Sequence, residues 1–140
     1  MNLREKLVST ALEWQKRFGV APAITSAISE YDAALLVGCP EKNYSDYMQD
    51  KTAVSKHVDF VHDGKRYQVK GNRPSGKPGS NVTLVGKAKN YEWDYLIWIH
   101  YTMAYEIREA WLWSRDEYKT MFAGKKRISP ADMRQGKKLV

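Results

Sequence analysis

The sequence predicts a single α/β domain in which a central mixed β-sheet is flanked by helices. With 140 residues, 43% of them hydrophobic and 12% aromatic, the chain has the length and composition of one globular domain. Apolar residues recur at helical spacing near both ends, whereas short strand-like runs lie between them. The segment DYLIWIHY, residues 94–101, is almost entirely apolar or aromatic and therefore predicts a buried central strand.

Start and stop signals bound two helices in the N-terminal part of the chain. The first is predicted to follow Asn2, with Glu5 at the capping-box position, and to end at Gly19. The second is predicted to begin near Pro22 and to end at Gly38. Their apolar stripes are Leu3, Leu7, Ala11, Trp14 and Phe18 in the first helix, and Ile24, Ala27, Ile28, Tyr31 and Leu35 in the second.

The remaining segments show weaker or shorter signals. Residues 40–57 are polar and ambiguous, and part of them could form an edge strand. Residues 71–81 are rich in Gly and Pro and predict a mobile loop, and residues 82–90 are a weak helix candidate. Residues 105–113 predict a second long strand, after which Ser114 and Glu117 form a capping box for a helix that ends at Gly124. Ser129 and Pro130 begin a last short helix.

A predicted hairpin carries the most informative polar residues. In HVDFVHDGKRYQVKG, residues 57–71, Asp63-Gly64 is a strong signal for a two-residue turn. This turn places Asp59 opposite Gln68, and the alternation of a strand directs Lys70 to the same face as Gln68. From the pattern alone, a hairpin with one solvated polar face is the simpler explanation of this arrangement.

The same residue types also suit metal-dependent phosphodiester chemistry. Mg²⁺ takes oxygen ligands, so a carboxylate and an amide oxygen are a suitable start for a site. A lysine beside them can orient or deprotonate a water, or offset negative charge in the transition state. Glu30, on the neighbouring predicted helix, could add a second carboxylate.

Asp59, eight intervening residues and then Gln68-Val69-Lys70 resemble the PD-(D/E)XK motif of the restriction-endonuclease-like nucleases. The segment SEYDAALL, residues 29–36, resembles the first core helix of that superfamily, and Glu30 matches its acidic residue. The resemblance covers about residues 22–113, with helical extensions at both ends of a single nuclease domain. It implies a restriction-endonuclease-like core, catalytic roles for Asp59, Gln68, Lys70 and Glu30, and a metal site at Asp59, Gln68, Val69 and Glu30 for Mg²⁺, with Mn²⁺ as a substitute.

Two positions depart from the motif. Val58 stands where the motif has a proline that is not a catalytic group. Gln68 replaces an acidic residue, which removes one negative charge from the metal site. Some members of the superfamily carry glutamine there together with a helix glutamate, and Glu30 is the candidate for that compensating role.

Basic charge is concentrated in two segments. Residues 64–91 carry a formal charge of +7 and residues 119–140 carry +6, so the rest of the chain is net negative at −6 within a total of +7. Such segregation is typical of a surface that binds a polyanion, although solubility alone would also account for a basic chain. The predicted DNA contacts are Arg66, Arg73, Lys77, Lys87 and Lys89.

The predicted function is therefore Mg²⁺-dependent hydrolysis of double-stranded DNA by a restriction, phage or homing type endonuclease. The superfamily implies 5′-phosphate ends, and cleavage of both strands implies a homodimer or homotetramer. Two alternatives stay open: a nucleic-acid-binding module without catalysis, and an RNA nuclease of the same fold.

Several other classes are not expected. No apolar run approaches the length of a membrane span, and the first ten residues lack an apolar signal core. Cys39 is the only cysteine, which excludes an internal disulfide and fits a cytoplasmic location. His57, His62 and His100 show no zinc spacing.

Overall fold

The computed structural model describes residues 1–51 and 58–140 of the chain. These residues form an α/β structure with a five-stranded mixed sheet flanked by helices, as predicted. The helices are α1 (Leu3–Phe18), α2 (Thr25–Leu36), α3 (Glu41–Asp50), α4 (Arg115–Phe122) and α5 (Pro130–Met133). The strands are β1 (Phe60–His62), β2 (Lys65–Asn72), β3 (Tyr95–Tyr101), β4 (Ile107–Ser114) and β5 (Lys137–Lys138).

The strands lie in the sheet in the order in which they occur along the chain. Strands β2 and β3 are parallel, whereas the other neighbouring pairs are antiparallel. Strand β3 occupies the centre, and every residue of it after Tyr95 is buried. The prediction of a buried central strand over residues 94–101 is confirmed.

Each face of the sheet is covered by its own hydrophobic core. One core joins the sheet to α1, α2 and α3 through residues such as Phe60, Ile97 and Ile99. The other joins it to α4, α5 and the segment 85–93. The predicted core tryptophans belong to this second core, in which Trp93, Trp98 and Trp113 are buried and Trp111 is partly buried.

A glycine on β2 sets the distance between α2 and the sheet. A Cβ atom added at Gly71 would lie 2.7 Å from both Cβ and Oγ of Ser29, closer than such atoms approach in proteins. The backbone of β2 therefore touches α2 directly. This close approach brings Glu30, the next residue of α2, beside the hairpin.

The local start, stop and turn signals are confirmed. The side chain of Asn2 accepts a hydrogen bond from the Glu5 N–H, and Gly19 ends α1 in the left-handed conformation. Asp63 and Gly64 have φ values of 50° and 73°, as the predicted two-residue turn requires, and the register pairs Phe60 with Tyr67. Capping side chains also begin the C-terminal helices, Ser114 for α4 and Ser129 for α5.

Three element predictions need correction. Residues 41–50 form helix α3 rather than an edge strand, because this amphipathic segment packs Tyr44 and Tyr47 against the first core. The rest of that prediction, residues 52–57, lies outside the described residues. Residues 82–90 form no helix, since Val85 instead makes an isolated β-bridge to Ile128. Helix α2 begins at Thr25, three residues after Pro22.

The two apolar stripes are only partly buried. In α1 the buried residues are Val8 and Ala11, whereas Leu3, Trp14 and Phe18 are exposed. In α2 the polar Asp32 is buried and Leu35 is exposed. Asp32 takes the inward position because Arg4 and Tyr101 hydrogen-bond to its carboxylate.

No helix among the described residues is long and apolar enough to cross a membrane.

Candidate functional site

A polar pocket of about 290 Å³ opens where α2 crosses the start of β1 and the middle of β2. It brings together all the residues that the sequence predicted for catalysis and metal binding, from three separate parts of the chain. The complete lining is Ser26, Ser29, Glu30, Asp59, Gln68, Val69, Lys70 and Gly71.

Asp59 is held at the edge of the sheet by two hydrogen bonds. Its backbone N–H donates to the Tyr67 carbonyl at 2.9 Å, and its Oδ2 accepts from the Val69 N–H at 2.7 Å. Strand β1 begins at Phe60. The Asp59 carboxylate, rather than a backbone carbonyl of β1, therefore accepts the hydrogen bond from the Val69 N–H. A charge-assisted bond of this kind fixes the direction of the carboxylate. Val69 itself also lines the pocket.

Glu30 has an unusual electrostatic environment. Burial raises the pKa of its carboxyl to about 7, and the nearby Asp59, which also forms a side-chain hydrogen bond with Glu30, adds to this rise. Within the described residues, no basic side chain forms a salt bridge with Glu30. Two carboxyl groups therefore share one partly buried position with little compensation by positive charge.

Lys70 stands half-buried on the same wall of the pocket. Burial lowers the pKa of its ammonium group, the Asp59 carboxylate opposes that effect, and Lys89 lowers the pKa further. A Cβ atom added at Gly86 would lie 3.8 Å from Cδ and 3.9 Å from Nζ of Lys70, so the segment after β2 closes over this side chain. A lysine with a lowered pKa is more easily deprotonated than one on the surface.

Gln68 lines the pocket between these groups. It is partly buried, and it pairs with the fully buried Leu96 across the β2–β3 ladder. Its amide oxygen is a neutral ligand type for a hard cation. Gln68 thus lines the same pocket as Glu30, Asp59 and Lys70.

Two residues beside the pocket were missed by the sequence interpretation. Burial raises the pKa of the Tyr44 hydroxyl to about 12, and Glu30 and Asp59 contribute to this rise. Lys51 donates from Nζ to the Asp59 carbonyl at 3.4 Å, and its charge lowers the pKa of Glu30. Tyr44 lies in α3, and Lys51 follows this helix directly. The amphipathic pattern of residues 41–50 was therefore the sequence signal that could have revealed them.

Of the five predicted DNA contacts, three are engaged in contacts within the protein. Arg66 is bonded to Asp94 through its backbone N–H, Nε and Nη2. Lys87 donates to the carbonyls of Ala123 and Lys125 at 3.0 Å each, close to the C-terminal end of α4.

Arg73 is the most fully engaged of the three. It donates to the Met103 carbonyl and to Gln15 Oε1, and its guanidinium lies 4.4 Å from the centre of the Tyr105 ring. These contacts tie the loop after β2 to α1 and to the β3–β4 turn. Lys77 and Lys89 are exposed, and Lys89 lies close enough to Lys70 to affect its pKa.

Neither of the two described histidines, His62 and His100, lines the pocket. His100 is buried, contacts Glu109 Oε2 through Nδ1 at 2.9 Å and stacks on Trp98. His62 is next to the hairpin turn and contacts Asp63. His57 lies outside the described residues.

Within residues 1–51 and 58–140, no group of three or more His, Cys, Asp or Glu side chains is arranged to hold a metal ion. The pocket contributes two such side chains, Glu30 and Asp59, together with amide and carbonyl oxygens. Any cation bound there would depend partly on neutral ligands.

Comparison with known protein families gives no match for this chain, and no curated protein shows significant sequence similarity to it.

Proposed function

We propose that this protein is a Mg²⁺-dependent DNA endonuclease with a restriction-endonuclease-like core, in which Mn²⁺ can replace Mg²⁺. The observation that carries the proposal is the convergence of Glu30, Asp59, Gln68, Val69 and Lys70 on one polar pocket. An ordinary hairpin with a solvated polar face would not require α2 to cover that face with another carboxylate. The convergence therefore favours a functional site over the simpler interpretation.

The oxygen atoms of the pocket suit Mg²⁺. Asp59 and Glu30 supply carboxylates, Gln68 an amide oxygen and Val69 a backbone carbonyl. All are hard ligands, and Mg²⁺ commonly completes its coordination with water. The raised pKa of Glu30 reflects first its burial and then the neighbouring Asp59, and a bound divalent cation would favour the ionised form of both carboxyl groups. When bound, it would polarise the phosphate and make a water more acidic.

The protein side chains have distinct roles in this proposal. The Val69 N–H fixes the Asp59 carboxylate so that Oδ1 can face the pocket. Lys70, with its lowered pKa, takes a proton from the attacking water or holds a proton near the developing negative charge. Lys51 holds the Asp59 backbone from the opposite side. Phosphodiester hydrolysis would then leave the phosphate on the 5′ end, as the resemblance implies.

The order and direction of the strands support the fold part of the proposal. Helix α2 crosses an antiparallel hairpin, and the second hairpin strand continues into a parallel pairing with the buried β3. The connection 73–94 contains no helix, so the helix expected over residues 82–90 does not contribute to the proposed core. The assignment to a restriction-endonuclease-like core therefore depends on α2 and β1–β3.

DNA is the proposed substrate because the chain is basic and carries exposed lysines, of which Lys89 lies close to Lys70 of the pocket. Lys77 and Lys89 are exposed and available to phosphates. Arg66, Arg73 and Lys87 instead form hydrogen bonds within the protein. Symmetric cleavage of a duplex requires two sites, so we propose a homodimer or homotetramer on DNA. A cytoplasmic location is part of the same proposal.

Plasmid nicking tests this function directly. Supercoiled plasmid should be cut with Mg²⁺ or Mn²⁺ and should stay intact with EDTA. Asp59→Asn should abolish cutting, whereas Asp116→Asn should not, because Asp116 is an exposed carboxylate at the start of α4. A protein that binds the plasmid but never cuts it would support the non-catalytic alternative. Preferential cutting of RNA in competition with DNA would support the RNA nuclease.

A further inference from the structure

A short β-bridge joins the segment after β2 to the turn between α4 and α5. The Val85 N–H donates to the Ile128 carbonyl at 2.8 Å, and the two residues pair in the antiparallel direction. Both side chains are buried in the second core. The bridge therefore places Arg127 opposite Gly86, and the alternation of extended chain directs the exposed Arg127 side chain away from the core.

Gly86 is also the place where this segment meets the polar pocket. A Cβ atom added at Gly86 would lie 3.9 Å from Nζ of Lys70. Lys89, three residues further on, lies close enough to Lys70 to lower its pKa. Lys70 and Arg127 are therefore both neighbours of the same glycine, one on the pocket side and one on the α4–α5 turn.

Lys87 fastens these two segments to each other. Its Nζ donates to the carbonyls of Ala123 and Lys125 at 3.0 Å each, at the end of α4. The backbone on both sides of Arg127 is thus held, by Lys87 before it and by the Ile128 bridge after it. A binding surface on a backbone that is already ordered loses less conformational entropy when a ligand binds.

The joined segments carry more basic charge than the fold uses. Residues 84–90 and 123–131 contain five basic side chains and no acidic one. Lys87 is bound to backbone carbonyls, and Lys125 forms a salt bridge with Asp132 at 2.7 Å. The other three are exposed and, among the residues that the structure describes, form no side-chain hydrogen bond or salt bridge: Lys89, Lys126 and Arg127.

We propose that Lys89, Lys126 and Arg127 form a basic platform that binds the phosphate backbone of duplex DNA beside the pocket. Unpaired lysine and arginine side chains are the groups that bind nucleic-acid phosphates, and they fix the position of the duplex without reading its sequence. A phosphate at Lys70 would have its neighbours along the strand over this platform. The proposal deepens the proposed function and rests on it for the nature of the ligand. Of the three residues, only Lys89 belongs to the DNA contacts predicted from the sequence.

DNA binding without cleavage tests the platform. The affinity of the full chain for a labelled duplex would be measured by fluorescence anisotropy in EDTA over a range of salt concentrations. Lys126→Gln and Arg127→Gln should each lower the slope of log affinity against log salt by about 0.9, and the double variant by about 1.8. Lys6→Gln is the matched control, because it removes the same charge from an exposed position on α1, which packs on the other face of the sheet. Thermal melting would verify that all variants are folded.

The outcomes separate the platform from the nuclease. Unchanged slopes for both variants, an equal loss in Lys6→Gln, or no measurable affinity for the duplex would overturn the platform. Weaker binding of duplex RNA with unchanged binding of DNA would overturn the assignment of the ligand. Because EDTA removes the metal on which the proposed cleavage depends, binding is measured independently of nicking. A chain that binds through the platform but never nicks plasmid contradicts only the nuclease, and a chain that nicks with unchanged slopes contradicts only the platform.

Discussion

Two carboxylates on α2, only two residues apart, have opposite environments. Asp32 accepts hydrogen bonds from Arg4 Nε at 2.7 Å, Arg4 Nη2 at 2.8 Å and the Tyr101 hydroxyl at 2.7 Å. Glu30 faces Asp59, another acid, and its pKa is raised to about 7. Asp32 is paired with a guanidinium and a hydroxyl, whereas Glu30, among the described residues, lies beside a second acid.

This difference separates a structural acid from a candidate functional one. Burying a charge is costly unless it is paired and hydrogen-bonded, and the Arg4–Asp32–Tyr101 network meets that condition. In the Glu30–Asp59 pair, Asp59 accepts a hydrogen bond from the Val69 N–H, but the neighbour of Glu30 is a second acid, whose effect Lys51 opposes. Under the proposed function a divalent cation would add positive charge beside these two carboxyl groups. The following experiments test this comparison.

The largest expected effect is loss of cleavage when the pocket is altered. Asp59→Asn, which changes a proposed metal ligand, should abolish plasmid nicking, and Lys70→Met should lower its rate by roughly 10²–10⁴, the usual range for loss of a positioned proton-transfer group. Their melting temperatures should stay close to that of the wild type. Either variant cutting at a near wild-type rate would show that the pocket has been wrongly assigned.

The second effect concerns stability and involves the partnered carboxylate. Asp32→Ala leaves Arg4 and Tyr101 without their acceptor and should reduce the free energy of unfolding by about 3–5 kcal/mol. Urea denaturation would measure this loss. If Asp32→Ala lowers the free energy of unfolding less than Glu30→Ala does, the proposed contrast between the two acids is wrong.

Gln68 tests whether a neutral ligand belongs to the pocket. Gln68→Ala should lose most of the activity, whereas Gln68→Glu adds a charge at similar size and should bind Mg²⁺ at least as well. The added anion near Lys70 should raise the lysine pKa and shift the pH optimum of cleavage upward. Cleavage and metal affinity would be measured over a Mg²⁺ titration. Wild-type behaviour of Gln68→Ala throughout that titration would reduce the motif to Asp59 and Lys70.

Glu30 should show a smaller effect that depends on pH. Its folded-state pKa, about 7, lies above the ordinary value of 4.5, so the folded chain binds an extra proton between these two pH values. Stability without metal should therefore fall as the pH rises from about 4.5 through 7. Glu30→Gln should flatten this dependence in melting experiments with EDTA, and should raise the Mg²⁺ concentration needed for cleavage. If the stability of Glu30→Gln depends on pH exactly as that of the wild type does, Glu30 does not interact with Asp59 as described.

The smallest effect distinguishes basic residues that face solvent from those that the fold uses. Lys77→Ala and Lys89→Ala should each reduce the slope of log affinity for DNA against log salt by about 1, if each contacts one phosphate. Arg73→Ala should mainly lower stability, because it loses its bonds to Gln15 and Met103. A salt slope that falls as much with Arg73→Ala as with the lysine variants would support the sequence prediction that Arg73 contacts DNA.

The sequence predicted the local structure well where neighbouring residues suffice. The caps at Asn2, Ser114 and Ser129, the Asp63-Gly64 turn and the central strand all depend on residues close together in the chain. The shared face of Asp59, Gln68 and Lys70 was predicted from the turn and the alternation of strand residues. The role of Glu30 was predicted from the resemblance to the restriction-endonuclease-like nucleases. Helix α3 and the extended segment 82–90 were not predicted, because their structure depends on which core they meet.

The sequence by itself determined which residues alternate, where helices begin and where the chain turns, because those features depend on short-range sterics and hydrogen bonds. Only the tertiary structure decided that Asp32 is paired with a base and Glu30 lies beside an acid, that Arg73 is bound internally, and that the stripe of α1 faces outward. These outcomes depend on segments far apart in the chain, such as Arg4 and the Tyr105 carbonyl, 101 residues apart. Whether a charge is paired depends on which groups the fold brings within a few ångströms, and local sequence does not contain that information.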